Sequence, residues 1–211
     1  MSRTPLRLDP SIRKYLLPLL KNDGFAGSGR TFRRIDHDAI HLVNVQGFSY
    51  GGRLAINLAV HPLDLPDMAG GPPSPKTIAE HQCEFRERRT EDDSGRVWEH
   101  DATAAGMDSA MRDAAAVYAT HGRRFFDQFR GASSVLKTFD FDSFMVREPD
   151  LSRYCFGSWV RVAYVLARLR LAEGRIEEAK KFAHAALADA TPQFAGFEEL
   201  QRITNLAWQV D

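Results

Sequence analysis

Between residues 39 and 62 the chain reads AIHLVNVQGFSYGGRLAINLAVHP, two alternating runs joined by a cluster of turn formers. Alternation at period two selects strand over helix, and glycine and serine between two such runs select a hairpin. A tight turn centred on Tyr50–Gly51 fixes the register. It sets Val45 opposite Ile56, Val43 opposite Leu58 and His41 opposite Val60. It also sets Asn44 opposite Asn57 and Gln46 opposite Ala55. A slip of one residue would exchange the two faces along the whole ribbon, so the pairing of like with like supports this register. The aliphatic face needs a core. The amide face (Asn44, Gln46 and Asn57) needs either the backbone of a covering loop or helix, or a partner in an open polar groove.

The flanking segments supply candidates for that core. DPSIRKYLLPLLKN, residues 9–22, places Ile12, Tyr15, Leu16, Leu19 and Leu20 at helical spacing. Asp9 is positioned to cap this helix, and Pro10 suits its first turn. Pro18 predicts a bend or a restart, and Gly24 a stop. GSGR, residues 27–30, reads as a loop, followed by a strand in GRTFRRID and a turn at Asp36–Asp38. Residues 62–77 carry five of the ten prolines and read as a loop or lid. EHQCEFRER predicts a fourth strand, with Cys83 and Phe85 on one face and Glu84 and Arg86 on the other. TEDDSGR is a polar turn, and RVWEH a short fifth strand.

From Met107 the period becomes helical. Met111, Ala115, Tyr118 and Phe125 form a stripe widened by Phe126 and Phe129, with Gly122 as its weak point. A shorter helix is expected over residues 132–139, then an irregular segment in DFDSFMVREPD. The last third predicts a helix, a turn at Gly174, a second helix and a capping helix around residues 196–210. Gly174, Ile176, Ala179, Ala183 and Ala186 have the spacing of one tetratricopeptide-type hairpin. A single unit cannot form a solenoid and has to pack on the chain or on a partner.

Composition narrows the function classes. Lysine plus arginine is 28 and aspartate plus glutamate is 28, so the formal net charge is zero, which argues against a dedicated nucleic-acid binder. Residues 1–34 hold eight basic side chains against Asp9 and Asp23. That excess fits a solvated helix face and an arginine-guarded strand, or a surface for an acidic partner. MSRTPLRLDPSIRK lacks the apolar centre of a secretory signal. The longest apolar run is interrupted by Arg161, Arg168 and Arg170, so no membrane span is expected. Two cysteines make no disulfide framework, and a cytoplasmic protein with reduced thiols follows.

Candidate chemistry is thin. His81 and Cys83 alternate onto one predicted face, with His61 and His100 at strand ends, yet no CxxC or HExxH spacing completes a zinc site. Cys155 in YCFGSW reads as a small buried filler, and Cys83 lacks a cation on its own side. GSGR precedes a strand and not a helix, so it is no phosphate cradle. Asp140 and Asp142 would share a side if extended, without a partner for acid–base work. No metal, cofactor or catalytic residue is therefore assigned.

LLPLLKNDGFAGSGRTFRR followed by HLVNVQGFSYGGRLAINLAVH resembles the opening of the DUF4304 family, bacterial proteins of unknown function. The residues that carry the resemblance are Gly24, Phe25, Thr31, Phe32, Asn44, Gln46 and Asn57. HQCEFRERR and Trp98 are similar to a later cysteine–arginine segment and tryptophan. The resemblance covers about residues 10–130. Ala59 departs from the usual glycine, and one tryptophan stands where two often occur. The resemblance implies an α+β domain and no activity; it marks Asn44, Gln46, Asn57, Arg86 and Arg88 as pattern residues, here the candidate binding set.

The expected fold is α+β: an antiparallel sheet of about four to five strands, helices on one face and a C-terminal helical hairpin. Residues 1–145 form the α+β domain, and 146–211 a helical extension packed on the same core. The expected function is that of a non-enzymatic intracellular binding protein, of immunity or regulatory type, with an unknown protein as partner. The alternatives are an enzyme or RNA-processing factor using the Asn/Gln/Arg sheet face, and a scaffold module using the helical hairpin.

Overall fold

A computed structural model describes residues 7–48, 52–67, 71–89, 97–101, 103–131, 134–147 and 158–206. The architecture is α+β: an open antiparallel sheet with helices packed against it. The strands are β1 (Ala26–Ser28), β2 (Thr31–Asp36), β3 (Ala39–Gly47), β4 (Arg53–Pro62), β5 (Phe85–Arg89) and β6 (Trp98–Glu99). They run in the order β1-β2-β3-β4-β5, with β6 also on β4, so the sheet has six strands against the four or five expected. The added strand is β1. GSGR is half of a hairpin, with Ser28 opposite Thr31 and Gly27 opposite Phe32. Its three residues are exposed, so no alternation marks it.

The β3–β4 register is the expected one. Asn44 faces Asn57, Val45 faces Ile56, Gln46 faces Ala55, Val43 faces Leu58 and His41 faces Val60. The turn residues Tyr50 and Gly51 lie outside the described residues. His37, with φ of 55°, turns β2 into β3.

The first helical segment runs through α1 (Asp9–Ser11), a π-helical turn (Ile12–Leu16) and α2 (Leu17–Asn22). Pro18 lies in the first turn of α2, and the π turn widens the helix just ahead of it. Proline donates no hydrogen bond and crowds the carbonyl four residues back, so the restart is its direct consequence. Asp9, expected as the cap, is itself helical, and the N-cap position falls on Leu8, which makes no side-chain cap. Gly24 ends the segment at φ of 81°, with its N–H on Lys21 O and that of Phe25 on Leu20 O, a Schellman closure.

The second helical segment is α3 (Ala104–Val117), a π turn (Tyr118–Gly122) and α4 (Arg123–Asp127). Thr103 caps α3 through the Gly106 N–H. A Cβ on Gly122 would stand 2.6 Å from the Tyr118 ring, so the expected weak point is where that ring lies over the backbone. α5 (Val135–Thr138) and α6 (Phe141–Met145) follow. DFDSF is therefore not irregular: Asp140 accepts from the Ser143 N–H and starts α6, which removes the proposed Asp140/Asp142 pair as a site.

The C-terminal helices are α7 (Trp159–Ala172), α8 (Ile176–Asp189) and α9 (Phe197–Thr204). Gly174, with φ of 74°, closes α7 in the same Schellman geometry as Gly24. Ala179, Ala183 and Ala186 are buried where α7, α8 and α9 meet. Cys155 and TEDDSGR lie outside the described residues.

Two apolar clusters lie on opposite faces of the sheet. The larger joins Val43, Val45, Leu54, Ile56, Leu58 and Val60 to the helical segments, and it continues to Phe182 and Ile203 in the C-terminal helices. The smaller holds Ile40, Leu42, Ala59, Ile78 and Cys83 beneath the proline-rich segment. The expected pairing of Cys83 with Phe85 is corrected here. A 3-10 turn at Glu80–Gln82 precedes β5, and the two side chains enter different clusters. Among the described residues no helix is long and apolar enough to cross a membrane.

Candidate functional site

The sheet face opposite the main core is divided across its strands. One rank runs Arg33, Leu42, Ala59, Arg86; the next runs Thr31, Asn44, Asn57, Arg88. The first lies under the proline-rich segment, which Arg33 holds by donating from Nε to Ile78 O at 2.7 Å. In the second rank, with Gln46 beside it, exposure rises from buried Asn57 through half-buried Thr31, Asn44 and Gln46 to exposed Arg88.

In the second rank the amides and Arg88 bond to one another. Arg88 donates from Nε to Asn57 Oδ1 and from Nη2 to Gln46 Oε1, each at 3.0 Å. Asn57 donates to Gln46 Oε1 at 3.0 Å and to Asn44 Oδ1 at 3.3 Å. Asn44 donates to Thr31 Oγ1 at 2.9 Å and more weakly to Arg30 O at 3.4 Å. A guanidinium can only donate, so Arg88 fixes which end of each amide faces which neighbour. Asn57 must turn its oxygen to Arg88, and its nitrogen then requires oxygens from Asn44 and Gln46. Asn57 is buried at 2% exposure, Asn44 and Gln46 are half-buried, and Arg88 is exposed. Four of the five sequence candidates thus form one network. Arg86 shares the face but lies in the other rank, with Glu80 3.7 Å away.

No cysteine or histidine bonds to this network among the described residues. Cys83 lies 0% exposed in the smaller cluster, its Sγ 3.5 Å from Ala79 O, and burial pushes its thiol up to about 12. It is a packing residue. His81 is exposed on the 3-10 turn and does not share a strand face with Cys83. His61 is buried, and its Nε2 meets Leu65 O at 3.0 Å; burial lowers its pKa. Among the described residues no three metal-ligating side chains converge.

Much of the basic excess of the first 34 residues is used internally. Lys14 meets Asp108 at 2.7 Å, Arg34 meets Asp36 at 3.2 Å, and Arg33 binds loop carbonyls.

A second feature was not anticipated. A cavity of about 600 Å³ opens between Leu63–Asp67, Pro72 and Pro73 on one side and Arg161, Tyr164, Arg168 and Glu199 on the other. Arg161 makes a fork of two 2.8 Å bonds to the buried carboxylate of Glu84. Arg168 pairs with Glu199 and donates to Asp64 O, and Tyr164 donates to Glu199 at 2.9 Å. The spacing 161, 164, 168 places these three on one helix face, a signal that was available in the sequence. Both arginines are neutralised by carboxylates of the same chain, so the cavity presents no unbalanced cation.

An open antiparallel sheet with helices on its core face and a polar network on the other defines an α+β domain. The chain belongs to the DUF4304 family, described as a domain of unknown function, whose family model matches residues 16–127. The amide–arginine network lies inside that span and the α7–α9 cavity wall outside it. No curated protein and no solved structure matches the chain.

Proposed function

We propose that this protein is a non-enzymatic intracellular binding protein, of immunity or regulatory type, that recognises a protein partner through the Thr31, Asn44, Gln46, Asn57 and Arg88 face. The observation that carries the reading is the network itself. Its amides and guanidinium neither attack nor exchange protons near neutral pH, yet they are held in fixed directions at a partly exposed surface. That arrangement suits recognition, because bonds made beforehand reduce the entropy lost on binding. The hairpin of α7 and α8 buries its small-residue face against neighbouring helices, which leaves the sheet face as the better recognition surface.

Affinity capture from the source cell tests this. The immobilised full chain, a Gln46→Ala/Arg88→Ala variant and an Arg202→Ala control on α9 are compared. A partner retained by the chain and the control, and lost by the double variant, is the expected result. Equal retention by all three would move the binding surface elsewhere.

A further inference from the structure

The geometry points to a carboxylate, on an aspartate or glutamate of the protein partner, as the group this face receives; the inference rests on the binding reading above and gives it a chemistry. Arg33 and Arg112 bond to neutral oxygens, and Arg88 does so inside the amide network. Arg34, Arg53, Arg123, Arg130, Arg161 and Arg168 each have a carboxylate within 4.0 Å. Arg88 is exposed, and among the described residues it is held by the neutral oxygens of Asn57 and Gln46. Its charge is oriented, and among the described residues no carboxylate pairs with it.

The stereochemistry narrows the ligand further. A guanidinium has five N–H groups: one on Nε and two on each Nη. Nε–H and one N–H of Nη2 are engaged with the amides. The end-on edge, formed by Nη1 and the other Nη2 hydrogen, remains as two parallel donors, the fork that matches the two oxygens of a carboxylate. Gln46 adds to this. Its oxygen accepts from both Asn57 and Arg88, so its amide nitrogen is turned away from them, and among the described residues it meets no hydrogen-bond partner. The open side of the network therefore offers donors beside one unbalanced positive charge.

A phosphoryl group would suit the site less well. It carries close to two negative charges. Arg86 already has Glu80 beside it. Arg33 is tied to Ile78 O and lies three strand spacings away on β2, about 14 Å. The formal net charge of zero also gives no long-range pull toward a polyanion.

Panning a displayed library of random peptides on the full chain, with counter-selection on Arg88→Ala, tests the assignment. Circular dichroism and melting confirm that each variant is folded. Enriched peptides are expected to share an aspartate or glutamate. Changing that residue to its amide should weaken binding about tenfold or more, the scale of a lost charged hydrogen bond. Arg88→Lys should also weaken it, because lysine keeps the charge and loses the fork. Peptides that require Gln46 but share no acid would leave the binding face standing and overturn the carboxylate. Peptides that bind only when phosphorylated would overturn it too. If no enriched peptide depends on Gln46 or Arg88, both the carboxylate and the binding reading fall.

Discussion

Arg170 is fully buried, yet its guanidinium reaches several polar groups. It donates to Leu136 O at 2.8 Å and Phe139 O at 2.7 Å, at the end of α5, and lies 3.3 Å from both Glu173 and Glu178. Truncating it would leave the buried Leu136 and Phe139 carbonyls without their donor, while Glu173 and Glu178 keep Arg175. Arg170→Ala is expected to cost about 2–6 kcal/mol, from two buried carbonyls left unpaired at about 1–3 kcal/mol each. Urea denaturation measures it, and a loss below about 1 kcal/mol would show that water replaces the side chain.

His41 gives a second test at this scale. It is buried, stacks on Phe126 at 4.8 Å between ring centres and accepts from Arg34 Nε at 3.2 Å. Burial first, and then the nearby Arg34 charge, hold its pKa down to about 3, against an ordinary 6.5. The unfolded chain therefore takes up a proton before the folded one. This stability is present in full above about pH 6.5 and is lost as pH falls toward 3. Within that window the slope approaches about 1.4 kcal/mol per pH unit. His61 acts in the same direction. Stability curves between pH 5 and 7 should be shallower for His41→Gln than for the natural chain; equal slopes would show that His41 is protonated in both states or in neither.

Among the elements, the C-terminal hairpin is the most direct test of packing. Ala179 and Ala183 are 0% exposed, and their small side chains let α7 and α8 approach closely. Ala183→Trp is expected to overpack that contact, cost ~1–3 kcal/mol and lower the melting temperature. An unchanged melting temperature would place the residue at a tolerant surface. This hairpin and the β3–β4 pair were legible in the sequence for the same reason. In each, a repeating apolar period is bounded by turn residues, and a slip would bury the wrong side chains. β1 was not legible because all three of its residues are exposed and backbone pairing alone marks it. α6 was hidden in DFDSFMVREPD, residues 140–150, because its start is marked only by the Asp140 cap and not by an apolar period. The faces of Cys83 and Phe85 were misjudged because the 3-10 turn before β5 breaks the alternation on which that assignment relied.

At the scale of the whole molecule, the sheet uses its two faces differently. The core face joins both helical segments and the C-terminal helices in one buried cluster. The opposite face is covered at the Leu42–Ala59 rank, and exposure rises along the Asn44–Asn57 rank to Arg88. The candidate site was half legible. Register placed the amides side by side, and the resemblance marked Arg88, but only the folded chain shows that Arg88 bonds to the amides and not to a carboxylate. The cavity beside α7 was missed because its two walls, near residues 65 and 164, are far apart in the sequence.

Nuclear magnetic resonance of the side-chain N–H groups tests the central claim most directly. The signals of the Asn44, Gln46 and Asn57 amides and of Arg88 Nε are followed while a captured partner is titrated into the full chain. These signals are expected to shift together and saturate with the partner, while those of Arg161 and Arg168 stay in place. Shifts confined to Arg161 and Arg168, with the amide row unmoved, would contradict the claim and place recognition at the cavity beside α7.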